Sequence, residues 1–273
     1  MSTDDPLAPF IAALHAGRLR VWSIVVTIFG DCIQPRGGRA AMAELQAIAE
    51  RMGIEGGALR TAMSRLARDG WVERTREGRN SFYTLSERGR AVFTPATRQI
   101  YRARFADADA PWLIAISQNG GPDPDGPSLS LGRQVTLIAP EDAAGCRAAG
   151  DLVLSATPAE VPAWVCDAAF DADLAGGYRS LADLIATVRP EDASALPPLD
   201  ALALRVMLIH AWRRLTLRHP VPPAGLVAAD WPGEACHTAL ARLYPALVET
   251  SETWWPTATP DDGQQTLATR FTS

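Results

Sequence analysis

Lysine is missing from the 273 residues, and all 26 basic side chains are arginine. That absence removes several chemistries. A P-loop needs a lysine on the phosphates, pyridoxal-phosphate catalysis needs a Schiff-base lysine, and a protein kinase needs its strand lysine. Cysteine is scarce: Cys32, Cys146, Cys166 and Cys236 stand alone, with no C-x-x-C among them. Isolated thiols fit small buried apolar residues in a reducing, cytoplasmic setting better than a disulfide framework. The four histidines are scattered without metal-ligand spacing. The longest apolar run, Val21 to Phe29, contains Ser23 and Thr27 and falls far short of the roughly 20 residues of a membrane span. Asp4 and Asp5 sit where a secretory leader would be positive, so none is expected. G-x-S-x-G, H-E-x-x-H and G-x-G-x-x-G do not occur. The expectation is a protein with no catalytic residues, metal or cofactor.

What is present is ordinary for a globular chain: 47% hydrophobic and 21% charged residues, enough apolar material for two or three cores at this length. The net charge of −5 conceals an uneven distribution. From Arg18 to Phe105 there are 16 arginines against 8 acids, and the rest of the chain holds 10 arginines against 23 acids. Such asymmetry suggests that one end faces a polyanion. A basic solvated surface without a partner is the plainer alternative.

Apolar spacing predicts a long helix over Pro9 to Gly30 with a weak point at Gly17, then a loop at Gln34 to Arg39. Helices follow over Ala41 to Met52, turned by Gly53, and over Glu55 to Arg68, ended by Gly70. In the last of these, Ala58, Leu59, Ala62, Met63 and Leu66 make a narrow apolar stripe. Thr61, Ser64, Arg65 and Arg68 share the opposite ridge, with Arg60 beside them. Trp71 to Arg76 alternates as a strand, Glu77 to Asn80 is a turn, and Ser81 to Leu85 is a second strand. Helix, short helix, arginine-faced helix and arginine-tipped hairpin together describe a winged helix-turn-helix. Arg60, Thr61 and Ser64 are assigned to base edges, and Arg65 and Arg68 to phosphates. Arg74, Arg76 and Arg79 would line the hairpin. A three-helix packing unit that binds nothing is the competing view.

Ser86 to Phe105 is expected as a connecting helix broken near Pro95. Strands are predicted at Pro111 to Ser117, Arg133 to Ala139 and Leu152 to Ser155, with a fourth at Val161 to Val165 and a short helix at Pro140 to Ala149. Asn119 to Pro127 is a loop. Such a mixture suggests a small α+β, ferredoxin-like domain. Ala169 to Val188 is helical with an interruption at Gly176-Gly177, and Glu191 to Pro198 is a linker. Leu199 to Leu217 and Glu234 to Glu249 are long helices, the first stopped by Pro220, Pro222 and Pro223, and Thr257 to Ser273 is a frayed tail. The expected domains are 1–95, 96–190 and 191–273.

Two stretches resemble the PaaX family, repressors of phenylacetic acid degradation operons. One is Leu59-Arg60-Thr61-Ala62-Met63-Ser64-Arg65-Leu66 with Gly70-Trp71-Val72 behind it. The other is Leu208-Ile209-His210-Ala211-Trp212-Arg213-Arg214-Leu215, then Arg218, Pro220 and Asp230-Trp231-Pro232-Gly233. The family's middle Trp-Asp pair is met here by Cys166-Asp167. The resemblance implies a cytoplasmic, homodimeric repressor bound to double-stranded operator DNA. It also implies a ferredoxin-like middle domain similar to small CRISPR-associated nucleases, and an all-helical C-terminal domain. Release by an aryl-CoA thioester such as phenylacetyl-CoA is implied as well. The candidates for that acyl-CoA effector are His210, Trp212, Arg213, Arg214 and Arg218, where guanidinium forks could meet CoA phosphates. A structural role for the same residues, with Trp212 in the core, is the alternative. Two other functions stay open: an architectural DNA-binding protein without effector, and a metal-dependent nuclease using Asp107, Asp109, Asp123 or Asp125.

Overall fold

The helix expected from Pro9 to Gly30 is divided near Gly17, its weak point, into two helices. α1 (Ala8–His15) stops before Gly17, and α2 (Val21–Ile28) starts after Arg20, whose non-helical backbone (φ −103°, ψ 88°) separates them. The computed structural model describes residues 5–105, 111–118, 120–122, 124, 128–157, 160–169, 172–218, 226–227, 230–256 and 266–272. These form helices and two antiparallel sheets, an α+β chain in two compact units. The first comprises residues 1–103, 183–213 and 239–273, and the second residues 104–182 and 214–238.

In the first unit α2 does not end cleanly. It widens into a π turn, Phe29–Ile33, then tightens into a 3-10 turn, Gln34–Arg36. β1 (Arg39–Ala41) follows, an unanticipated strand at the junction of the expected loop and helix. α3 (Met42–Arg51) begins with the Glu44 carboxylate accepting from the Ala41 N–H at 2.7 Å, which satisfies one of the orphan donors of a helix start. α4 (Gly56–Arg68) buries Leu59, Ala62, Met63 and Leu66. Ala58, placed in the apolar stripe by its spacing, is exposed.

α4 ends in a left-handed cap. Gly70 has φ +73°, its N–H reaches Ala67 O at 3.2 Å, and the Trp71 N–H reaches Leu66 O at 2.8 Å. This paired closure needs a residue that accepts positive φ, hence glycine. β2 (Val72–Glu77) and β3 (Asn80–Leu85) leave at once as a hairpin. In its two-residue turn Gly78 has φ +60° and Arg79 does not share the positive sign, the pattern of a type II′ turn. The sheet order is β1-β3-β2. α5 (Glu87–Ile100) runs through Pro95 without the expected break. Its N-cap Ser86 accepts from Gly89 N at 3.0 Å and donates to Gly70 O at 2.6 Å, tying the two helix ends together.

The same unit holds most of α10 (Pro198–Thr216) and the later part of α11 (Pro232–Glu252). Every residue from Ala201 to His210 is buried, charged Arg205 included. Two expectations are corrected here. Glu191 to Pro198 is not a bare linker, because Pro190–Ser194 forms α9. Its start is held by Arg189 and Asp192, paired at 2.9 Å, and by Pro190 in the first turn. Nor is the tail frayed throughout. Leu267 and Phe271 are buried, and Phe271 meets Tyr101 and Tyr244 edge-on with ring centres 5.2 Å away. Residues 257–265 lie outside the described residues, as do Pro220, Pro222 and Pro223.

The second unit is built on a four-stranded antiparallel sheet, ordered β5 (Leu129–Gly132), β6 (Val135–Ile138), β4 (Trp112–Ile116), β7 (Leu152–Ala156). Leu113, Ala115 and Ile138 bury one face against Ala143 and Cys146 of α6 (Ala143–Ala148). β5 was not anticipated. Val161 to Val165 is not a fourth strand, because its end belongs to α7 (Ala163–Ala169). A short apolar run cannot be assigned to strand or helix by periodicity alone. α8 (Ala172–Ala186) continues through Gly176-Gly177. A Cβ at Gly177 would lie 2.6 Å from the end of the Leu215 side chain, which would have to shift to admit it.

Candidate nucleic-acid interface

The face of α4 opposite its buried stripe carries Arg60, Thr61, Ser64, Arg65 and Arg68, all exposed. Thr61 Oγ1 donates to Gly57 O at 3.0 Å, one turn back, so its hydroxyl stands close to the helix. The Nε atoms of Arg65 and Arg68 lie 3.4 and 3.2 Å from the Asp69 carboxylate, with side chains 60% and 75% exposed. Ion pairs this open are worth about 0–1 kcal/mol, so both guanidinium groups stay available to a phosphate.

The hairpin sorts its charges by strand parity. Val72, Arg74 and Arg76 alternate onto one face, and Glu73, Thr75 and Glu77 onto the other. On the first face the base is buried by Val72, Tyr83 and Leu85, while Arg74 and Arg76 lie toward the tip. Arg74 is steadied by Ser81 Oγ at 2.7 Å, and Arg76 Nε donates to Gly78 O at 3.3 Å. Arg79 is exposed in the turn itself. The second face carries a residue that the sequence reading missed. Arg39 of β1 lies 3.6 Å over the Phe82 ring and pairs with Glu77 at 2.6 Å. Only the β1–β3 register, which sets Arg39 opposite Thr84 and Ala41 opposite Phe82, brings it there.

The candidate effector residues divide between the units. In the first unit His210 is buried, with Nδ1 3.1 Å from Thr27 Oγ1, and Trp212 is fully buried, donating to Ile100 O at 2.8 Å. Arg213 donates to Ser23 O at 3.0 Å and to Thr27 Oγ1 at 3.1 Å. In the second unit Arg214 and Arg218 are exposed.

A buried charge cluster in the first unit was also missed. Asp31, inside the π turn, accepts from Arg205 Nε at 2.7 Å, Tyr244 OH at 2.7 Å and Tyr101 OH at 2.5 Å. Arg205 also donates to Glu252 Oε1 at 2.9 Å, and Arg36 pairs with the same carboxylate. Burial alone would push the Asp31 carboxyl up. The charges of Arg205 and Arg270, with the two tyrosine hydroxyls, outweigh it and hold the group below its ordinary range. The neighbouring Cys32 thiol is pushed well up by burial and by the Asp31 charge, and burial raises Cys236 to about 12. Such thiols are inert.

Asp107, Asp109, Asp123 and Asp125 lie outside the described residues. Among the described residues no group of three or more His, Cys, Asp or Glu could hold a metal ion, and no helix is long and apolar enough to cross a membrane.

Residues 20–89 match the model of the PaaX-like protein family, and residues 171–257 match that of the PaaX-like protein C-terminal domain. The chain belongs to the PaaX-like family. The transcriptional repressor PaaX of Escherichia coli (strain K12) is 28% identical over 265 residues, covering 85% of this chain and 82% of that protein. The first PaaX-like match runs from the start of α2 to the start of α5 and so contains α4 and the hairpin entire. The second takes in α8 to α11, with Asp31's partners Arg205 and Tyr244. PaaX-family members are repressors and not enzymes, which leaves the nuclease alternative without support.

Proposed function

We propose that this chain is a DNA-binding transcriptional repressor of a phenylacetate-type catabolic operon, released by an aryl-CoA thioester. One observation carries the DNA-binding reading. The exposed α4 ridge and the arginine-bearing hairpin face belong to one continuous segment, Gly56 to Leu85, inside the PaaX-like match. We read α2, α3, α4 and the β2–β3 hairpin as a winged helix-turn-helix. α4 enters the major groove, with Arg60, Thr61 and Ser64 at base edges and Arg65 and Arg68 on phosphates. Arg74, Arg76 and Arg79 follow the backbone from the wing.

The second unit is read as ferredoxin-like. Its strand order β5-β6-β4-β7 supports this, because numbering those strands by sequence gives the 2-3-1-4 order of that fold. A homodimer suits a reader of two half-sites. The edge strand β7 favours it: Leu152 and Leu154 are exposed on a strand that carries no charge or proline to discourage pairing. The protein is taken to act in the cytoplasm, where its operator lies.

The thioester reading rests on the PaaX-like resemblance of the Leu208–Arg218 segment. Arg214 and Arg218 are the exposed cations of that set, while His210, Trp212 and Arg213 are engaged inside the first unit. A tenfold loss of operator affinity requires about 1.4 kcal/mol of preference of the ligand for the released conformation.

Footprinting the promoter of the chain's own operon, with and without phenylacetyl-CoA, tests both halves. Protection of a defined site that the thioester abolishes and free phenylacetate does not is the expected result. Protection indifferent to every thioester would leave an architectural DNA-binding protein. No protected site at all would end the DNA reading.

A further inference from the structure

Helix α2 has two neighbours of different character. It packs directly on α4 and buries Ile24, Val25 and Ile28. Its polar positions Ser23 and Thr27, with Asp31 in the π turn beyond, meet α10. Arg213 donates to Ser23 O and Thr27 Oγ1, Thr27 Oγ1 lies against His210 Nδ1, and Arg205 grips Asp31 through Oδ2 at 2.7 Å and the main-chain O at 2.9 Å. As numbers rise along α2 they fall along α10, so the two run antiparallel and the contacts form one seam.

The π turn makes the seam continuous. Asp31 lies four residues beyond Thr27, within that turn, and still meets α10 through Arg205. The Thr27 hydroxyl donates to Ser23 O at 3.1 Å. The same oxygen accepts from Arg213 and lies 3.1 Å from His210 Nδ1. Thr27 and His210 are 3% and 4% exposed, and Asp31 and Arg205 are at most 1% exposed. An apolar helix contact would tolerate small slides. A row of directional bonds, buried from Thr27 to Asp31, does not, because any slide of α2 along α10 strains every bond at once.

We propose that this seam is the joint that sets the pose of the DNA-reading helix. Ser23, Thr27 and Asp31 are positioning residues that act through α2 on α4, and Arg205, His210 and Arg213 are their counterparts on α10. The inference rests on the DNA-binding reading of α4. A ligand that displaces α10 reaches α4 by this route.

The test uses the full chain carrying Thr27→Val, which keeps the size of the side chain and removes its hydroxyl, and Thr27→Ser, which restores the hydroxyl without the methyl. Tyr244→Phe, which removes one bond to Asp31, is the second probe of the seam. Hydrogen-exchange mass spectrometry of free protein reads the pose of α4, and fluorescence anisotropy compares the operator with random DNA. Thr27→Val is expected to raise exchange in Gly56–Arg68 at least threefold and to weaken operator binding at least fivefold. Random-DNA affinity should change less than twofold, and exchange in β4 to β6 should stay at wild-type level. Thr27→Ser should recover most of the loss, and Tyr244→Phe should shift α4 in the same direction. Wild-type exchange in α4 for both Thr27→Val and Tyr244→Phe, with the seam itself loosened, would overturn the proposal. So would a Thr27→Ser protein as impaired as Thr27→Val. If the wild type preferred no operator over random DNA, the DNA reading would fall, and the exchange measurement would still decide whether the seam positions α4.

Discussion

Arginine serves two regions of the first unit in opposite ways. On α4 and the hairpin it stands in water, with Arg65 and Arg68 each paired loosely with the carboxylate of Asp69. In the helical core Arg205 has no exposed surface and is surrounded by Asp31, Glu252, Ser251 and Tyr244. The exposed group keeps its charge for a partner and contributes little to folding. The buried group has its charge consumed by the fold and can offer nothing to a ligand. Residue type therefore says little about role until burial and partners are known.

The largest way to break this contrast is to remove one buried partner. Arg205→Met should lose about 3–5 kcal/mol of stability, because Asp31 and Glu252 would stay buried without their shared cation. Urea unfolding measures it, and a loss below about 1 kcal/mol would mean that the pair does not hold the core. The same cluster should give the protein an acid limb. The folded-state pKa of Asp31 lies below its ordinary value of 3.8. Its contribution is therefore fully present above that value and is lost as pH falls through the folded one. Urea midpoints should stay level from about pH 7 to pH 5 and drop below about pH 4, and Asp31→Asn should flatten the drop.

On the exposed side the effects move from folding to binding. Arg60→Ala should cost about 1–3 kcal/mol at particular operator positions and much less on random DNA. A uniform loss over all sequences would demote Arg60 to a phosphate contact. Arg65→Ala should weaken operator and random DNA alike and reduce the slope of log affinity against log salt by about 0.9. The smallest expected effect completes the contrast. Arg65→Ala and Arg68→Ala should each change stability by no more than about 0.5 kcal/mol, and a larger change in thermal melting would show that these side chains serve the fold.

Much of the basic surface of α4 and the hairpin was legible in the sequence. The α4 ridge follows from a helical period with leucine, alanine and methionine on one side and hydroxyls and guanidinium groups on the other. The hairpin follows from alternation around Gly78-Arg79. Arg39 was not legible, because its place over Phe82 depends on a three-residue strand pairing with β3. The Pro190–Ser194 helix was read as a linker because proline and acids also compose linkers, and in this case they build a helix start. The buried cluster was the least accessible. Asp31 meets Arg205 across 174 positions, and Arg36 meets Glu252 across 216.

The segment Leu208 to Arg218 shows the limit most clearly. Its resemblance carried the family, and it drew attention to His210 and Arg213 without revealing which way they point. The sequence by itself determined what is local: which turns close on glycine, which helix has a basic ridge, and which end of the chain is positive. Those features depend on neighbours within a few residues, where periodicity and backbone preference act. Only the tertiary structure decided which arginines remain in water and which are spent on Asp31 and Glu252. Burying a charge is favourable only when its counter-charges arrive with it, and here Arg205 of α10 meets Asp31 from the π turn after α2 and Glu252 from α11, segments that meet only when the chain folds.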